Sequence, residues 1–190
     1  VEVAGRWRDG RLARVFVTAV SDRPVVRGVA LDRVRTRLLI RPGFVDGLEL
    51  FGAQGDGAVQ GNFTFRAVPG ADWSSLEFQA DSTLGLPAVA GLLGDIGRAP
   101  LAPFRAVNPP RIRAGGHFHG PTAASPAPNR LDLAVETTGA FSFHDFPLED
   151  ATFTARMRGE EIAVERFGAD FAGGTATGNV FFSMKALTGA

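Results

Sequence analysis

Apolar and polar residues alternate one by one along most of this chain, and that period decides what it can fold into. ATFTARMRG (151–159) sets Ala151, Phe153, Ala155 and Met157 on one side of an extended strand and Thr152, Thr154, Arg156 and Arg158 on the other. RLDLAVET (130–137) opposes Leu131, Leu133 and Val135 to Asp132 and Glu136. DRVRTRLLI (32–40) opposes Val34, Leu38 and Ile40 to Arg33, Arg35 and Arg37. LEFQA (76–80) and NFTFRAV (62–68) follow the same rule. Successive side chains of a strand leave opposite faces, so these segments predict antiparallel strands with one dry and one wet face. Asp9-Gly10 and Gly159-Glu160 fall where hairpins would turn. Sixteen Phe and no Tyr furnish the dry face with rings that carry no hydroxyl in need of a partner.

One segment leaves this pattern. In GLPAVAGLLGDIG (85–97), Val89, Leu92, Leu93 and Ile96 recur at helical spacing, Pro87 suits a first turn, and Gly94 or Gly97 suits the end. PTAASPAPNR (121–130) reads as an exposed loop, and NPP (108–110) as a rigid entry into a strand at 111–118. The expected fold is mostly β, a set of antiparallel meander repeats with one short helix near 86–97.

The repeats are visible as a phrase written twice. FGAQGDGAVQGNFTF (51–65) and FGADFAGGTATGNVFF (167–182) both open on Phe-Gly-Ala, cross a Gly-rich turn and reach Gly-Asn before alternating apolar residues. Comparable lead-ins, 29–53 and 146–169, precede them, which gives repeat copies at about 29–68 and 144–186 around a helix-bearing insertion and middle strands, 69–143. Tight turns need positive φ, which glycine adopts cheaply, and that assigns Gly55-Asp56-Gly57 and Gly173-Gly174 to turns. Gly61 and Gly178, inside the following strands, mark a bulge or a sharp bend. A phosphate-binding loop is excluded by context, because strands rather than helices follow the glycines and no Gly-Lys-Ser/Thr occurs.

At 190 residues the chain is long enough for one domain with a sizeable core. No window approaches the roughly 18–20 apolar residues of a membrane-spanning helix. The start at Val1 leads to the expectation that 1–190 is one fragment of a longer protein whose anchor or signal lies upstream. Twenty basic residues balance twenty acidic ones, which argues against a nucleic-acid partner. Residues 1–41 nevertheless hold ten Arg against Glu2, Asp9, Asp22 and Asp32, read either as a basic strand face or as contact with an anionic surface. The absence of cysteine excludes disulfides and thiolate metal sites.

VERFGADFAGGTATGNVFF closely resembles the phrase that closes each repeat of the AsmA-like C-terminal region in the AsmA/TamB/YhdP superfamily of bacterial envelope proteins. LELFGAQGDGAVQGNF resembles it less, lacking the adjacent glycine pair, and NPPRIRAGGHFHG looks like an opening strand of the same repeat. The resemblance spans about 29–185. It implies a β-sheet curled into a taco-shaped groove with an apolar inner face, in the periplasm, held to the inner membrane by an upstream anchor and continued by flanking repeats. It also implies a non-enzymatic role in conducting phospholipid or another acyl lipid, or in outer-membrane assembly, without a cofactor. On this view Phe63, Phe65, Phe141, Phe143, Phe153, Met157, Val180, Phe182 and Met184 form the lipid strip. The same residues also suit an ordinary β core, with the helix at 85–97 closing the groove.

Two rival functions rest on other residues. In a strand, His117 and His119 of GGHFHGP share a face, as two metal-bound imidazoles must, and His144-Asp145 would complete a metalloenzyme site. Solvated strand-end histidines are the alternative. Trp7 and Trp73 would stack on sugar rings in a carbohydrate-binding β-sandwich, a reading that requires two closed sheets. Glu149-Asp150 and Glu160-Glu161 read as turn acids rather than a glycosidase pair. Ser74-Ser75 lacks the Gly-x-Ser-x-Gly elbow of a hydrolase.

Overall fold

The computed structural model describes residues 1–8, 11–67, 74–120 and 128–183. Its strands are β1 (Glu2–Arg8), β2 (Arg11–Asp22), β3 (Val25–Val26), β4 (Val29–Ala30), β5 (Arg33–Arg41), β6 (Phe44–Gln54), β7 (Gly57–Ala67) and β8 (Ser74–Ser82). After two helices, α1 (Leu86–Leu93) and α2 (Asp95–Leu101), come β9 (Phe104–Ala106), β10 (Arg111–His119), β11 (Arg130–Glu136), β12 (Ala140–Phe143), β13 (Phe146–Arg158), β14 (Glu161–Phe171) and β15 (Gly174–Ser183). Apart from the small β3–β4 hairpin, they join one open antiparallel sheet of 13 strands, in the path β1-β2-β5-β6-β7-β8-β10-β11-β13-β14-β15. A side branch, β12 and then β9, pairs with the first part of β13. The mostly-β meander with a curled sheet is therefore the architecture of the chain. The two closed sheets of a sandwich are not formed among the described residues.

Directly opposed residues in neighbouring strands put their side chains on the same face. One cross-strand row can be followed through ten strands: Val17, Leu38, Gly47, Phe63, Phe78, Gly116, Leu131, Met157, Ile162 and Phe182. The adjoining row on that face runs through Leu50, Gly61, Ala80, Ala114, Leu133, Ala155, Val164 and Val180. The opposite face carries ladders of ion pairs, among them Arg35 with Glu49, Arg113 with Glu136 at 2.9 Å and Arg158 with Asp132 at 2.9 Å. One face is apolar across the sheet and the other is charged across it.

The doubled phrase is a hairpin with a bulge. Gly47 opposes Phe63 and Leu50 opposes Gly61, so Leu48 and Glu49 together face Asn62. In the second copy Val164 opposes Val180 and Phe167 opposes Gly178, so Glu165 and Arg166 face Asn179. The Asn179 side-chain oxygen accepts the Arg166 N–H at 3.0 Å, which satisfies a donor that the bulge takes out of the ladder. Gly61 and Gly178 thus stand beside the bulges, where the sequence places them.

Two glycine assignments need correction. The positive-φ glycines of these hairpins are Gly55 (φ 55°) and Gly173 (φ 80°), whereas Gly57 and Gly174 begin strands outside that region of φ. Gly57 is required for space instead, because a Cβ there would lie 2.7 Å from the Thr83 carbonyl oxygen. At Gly61 a Cβ would run into the Gln79 carbonyl oxygen, and at Gly47 into the Phe63 ring. Phe63 therefore covers Gly47 on the apolar face, and Phe78 covers Gly116 in the same way.

Two compact cores lie at one rim of the sheet, where β6 and β14 end. Val29, Leu31, Leu84 and Ala88 form the first, with Val34, Val59, Val89 and Leu92 against it. Phe141, Leu148, Ala151 and Ala169 form the second, with Phe104, Ala106 and Phe167. The expected single helix is two helices, since Gly94 (φ 68°) breaks it after Leu93 and the Arg27 guanidinium caps the Leu93 carbonyl at 2.9 Å. Pro87 does sit in the first turn. β9 and β12 continue β10 and β11 in one register, since Ala106 faces Phe141 and Arg111 faces Glu136. Pro109-Pro110 interrupts that ladder, having no N–H to give.

Gly61→Ala should lose about 2–3 kcal/mol in chemical denaturation, as an overpacked site does. Gly178→Ala, with nothing within 4 Å of the new Cβ, should stay within about 0.5 kcal/mol of the parent.

Candidate functional site

Six of the nine residues expected to form a lipid strip share the apolar face by register. Phe63 and Met157 belong to the ten-strand row, and Phe182 ends it. Val180 ends the adjoining row. Phe65 opposes Leu76 and Val45, and Phe153 opposes Val135, which places both in flanking rows. Phe63, Phe65, Phe153 and Met157 are half-buried, and Val180 and Phe182 are exposed. On the side branch, Phe141 is buried in the second core at 6% exposure. Phe143 is exposed, opposite Phe146, and tilts against Phe104 with ring centroids 5.0 Å apart. Met184 lies outside the described residues.

The face also contains residues that the strip did not include. Leu38, Leu76, Phe78, Phe118, Leu131 and Ile162 fall in the same rows as Phe63 and Phe65, and Leu50 and Leu133 in the adjoining row on that face. Phe78 and Phe118 stack at 6.0 Å, so the paving is continuous from β7 to β10. Leu76 and Phe78, Leu131 and Leu133 were legible as the dry side of their own strands. Which strand each faced was not, because register between distant segments leaves no local signal.

The charged face holds an open trough of about 780 Å³ that runs from Arg35 on β5 to Arg166 on β14. Its walls are cross-strand ion pairs: Arg35 with Glu49, Arg156 with Glu165 at 3.4 Å, and Asp132 shared between Arg156 and Arg158. Such exposed pairs contribute well under about 1 kcal/mol each and mostly keep this face in water.

His117 and His119 do share a face, with ring centroids 4.4 Å apart. They lie on the charged side of β10, opposite Glu77 and Ser75. His144 sits in the β12–β13 turn with φ 53°, at the rim where β10 begins rather than where it ends. The three histidines are therefore not brought together, and no group of three or more His, Cys, Asp or Glu is placed to hold a metal among the described residues. Trp7 is exposed on edge strand β1, and Trp73 lies outside the described residues, as does the Asp9-Gly10 turn.

The acidic pairs have structural partners. The Asp150 carboxylate accepts the Gly139 N–H at 2.7 Å, beside a bulge that Asp150 itself forms with φ 50°. Thr137 supports the same point, its buried hydroxyl accepting the Ala151 N–H at 2.8 Å. Glu149 faces Asp170 across the ladder, and Glu161 begins β14. Ser74 and Ser75 are half-buried ladder residues of β8.

Adding Zn²⁺ should leave the melting temperature of the parent chain and of a His117→Ala/His119→Ala variant unchanged, within about 1 °C of each other. A zinc-dependent rise confined to the parent would restore the histidine site. No protein-family profile, curated protein or solved structure matches this chain.

Proposed function

We propose that the apolar face is a surface for acyl chains, and that the chain is a non-enzymatic, lipid-conducting or membrane-assembly segment of a bacterial envelope protein. The observation that carries this reading is the uninterrupted apolar row from Val17 to Phe182, on a sheet that no second sheet covers among the described residues. Nine interstrand steps of about 4.8 Å make that row roughly 43 Å long, more than the ~30 Å hydrocarbon thickness of a bilayer. Each methylene that leaves water on such a strip gains about 0.8 kcal/mol.

The two faces divide the work that a lipid needs done. Acyl chains lie across Phe63, Phe78, Leu131 and Met157, where no side chain asks for a hydrogen bond. Headgroups remain at the rims and in water, near arginines such as Arg41 and Arg66, which already stack on the Phe44 ring. The resemblance of the repeat phrase to AsmA-like envelope proteins supports the same reading, and with it a periplasmic location, an inner-membrane anchor upstream and flanking repeats.

Native mass spectrometry of the protein purified from bacteria, with lipid extraction of the same sample, tests the proposal. Phospholipid should co-purify with the parent chain and fall at least fivefold in Leu50→Asp/Leu133→Asp, whose substitutions lie on the apolar face. Gln60→Asp/Thr154→Asp, on the charged face, should keep its lipid. A lipid-free parent, or equal loss in both variants, would overturn the reading.

A further inference from the structure

The charged face carries both signs along its cross-strand rows except at one rim. The rows through Arg35, Arg37 and Leu39 all meet carboxylates, respectively Asp81 and Glu165, Glu49 and Asp132, and Asp46 and Glu77. The next row, at the rim opposite the two cores, meets none among the described residues. In it Arg6 opposes Arg14, and Arg41 lies beside Arg14, one step beyond the Val15–Ile40 pair. Arg41 and Arg66 both oppose Phe44, with their guanidinium carbons 4.2 and 5.8 Å from the centre of its ring. Ser75 and His119 complete the row. All four arginines are exposed, and none forms an ion pair among the described residues.

Cations set across a ladder from one another repel, and no residue of the row offsets that. Asp46, in the adjoining row, accepts the Thr64 hydroxyl at 2.7 Å and pairs with no arginine among the described residues. β2, β5 and β7 are flanked by strands on both sides, so Arg14, Arg41 and Arg66 stand within the sheet and not at its edge. The row thus offers to an outside anion several guanidinium forks, which match phosphate oxygens in pairs. The opposite face of the same rim narrows the choice of anion. Its outermost apolar row runs through Val15, Ile40, Val45, Phe65, Leu76 and Phe118. Each of these is one residue along its strand from the basic row, a distance of about 3.3 Å. Between β5 and β6 the rim is no deeper than the Pro42-Gly43 turn, which a long arginine side chain can reach past. A soluble anion uses one of these rows and leaves the other bare, whereas a molecule with an acyl chain and a phosphate uses both.

We infer that Arg14, Arg41 and Arg66, continued by Arg6, bind the phosphate of an anionic phospholipid whose acyl chains lie on the apolar side of that rim. The inference rests on the acyl-chain reading of the apolar face and adds to it the class of headgroup. A zwitterionic headgroup fits less well, because its own cation finds no carboxylate in this row and adds to the repulsion there.

Vesicles of equal parts phosphatidylglycerol and phosphatidylcholine with identical acyl chains make the test, since the apolar face sees no difference between the two. The parent chain, incubated with them and re-isolated, should carry phosphatidylglycerol over phosphatidylcholine by about fivefold or more in native mass spectrometry. Arg14→Gln/Arg41→Gln/Arg66→Gln, with an unchanged far-UV circular dichroism spectrum, should carry the two equally and keep the parent's total lipid. In the parent itself the preference should fall by about threefold or more in about 0.5 M NaCl, where charges act over less than about 5 Å. Excess inorganic phosphate should leave the preference intact; its loss there would mark the row as a site for free phosphate and overturn the inference. Nucleic acid retained by the parent and lost from the variant, with lipid unaffected, would overturn it as well. A parent without lipid would overturn the acyl-chain reading and this inference with it. Lipid without preference, or a preference equal in parent and variant, would overturn this inference and leave the acyl-chain reading standing.

Discussion

Backbone pairing holds this sheet together, and pairing enforces that opposed residues share a face. In a single layer that rule has unusual weight. A sandwich or a helix-covered sheet can correct a local error in phase by packing from the other side. Here a one-residue slip in any strand would turn its Phe, Leu and Val residues into the ion-pair face and carry arginines into the apolar one. The apolar row from Val17 to Phe182 exists because the phase is kept through every ladder it crosses.

Three bulges keep it. In β6 the apolar-face residues are Val45 and Gly47 before the bulge, and Leu50 and Gly52 after it. In β14 they are Ile162 and Val164, then Phe167 and Ala169. In β13 Leu148 gives way to Ala151 and Phe153 across Asp150. Each time the sequence spacing between consecutive apolar-face residues widens from two to three, and the extra residue is absorbed without changing sides. Fixed polar groups secure the sites: Asn179 on the Arg166 N–H, Thr137 on Ala151 and the Asp150 carboxylate on Gly139. The second buried core includes Ala151 and Phe167, so packing as well as hydrogen bonding fixes the bulges of β13 and β14.

Much of the architecture was legible because alternation is local. The strands around 32–40, 62–68, 130–137 and 151–158 and the doubled hairpin follow from residues within a few positions of one another. The break after Leu93 was less legible, since Gly94 reads equally as a helix end or as the joint between two helices. Among the turn glycines, Gly55 and Gly173 take the positive φ, while the constraint on Gly57 comes from Thr83, just past the end of β8 and 26 residues away in sequence. The same limit applies to the candidate site. Phe63 and Met157 were recognised as dry residues of their own strands, but Phe141, equally dry in sequence, is packed under a side branch. Its burial depends on the continuation of β10 and β11 past Pro109-Pro110, a tertiary matter with no trace in FSF.

The bulges also bear on how such a chain can change over generations. Each acts on sidedness as a second frameshift acts on a reading frame: without the bulge, the extra residue would exchange inside for outside downstream. The composition of these strands can therefore vary without cost to sidedness, while the parity of residues between bulges cannot. The two copies of the repeat fit that pattern. Their tips differ, Gly55-Asp56 in one and Ala172-Gly173 in the other, and their bulged pairs, Leu48-Glu49 and Glu165-Arg166, share only a glutamate, yet a Gly-Asn pair stands opposite the extra residue in both. What the two copies share is a count modulo two, with the Gly-Asn pair that accompanies it, more than a sequence.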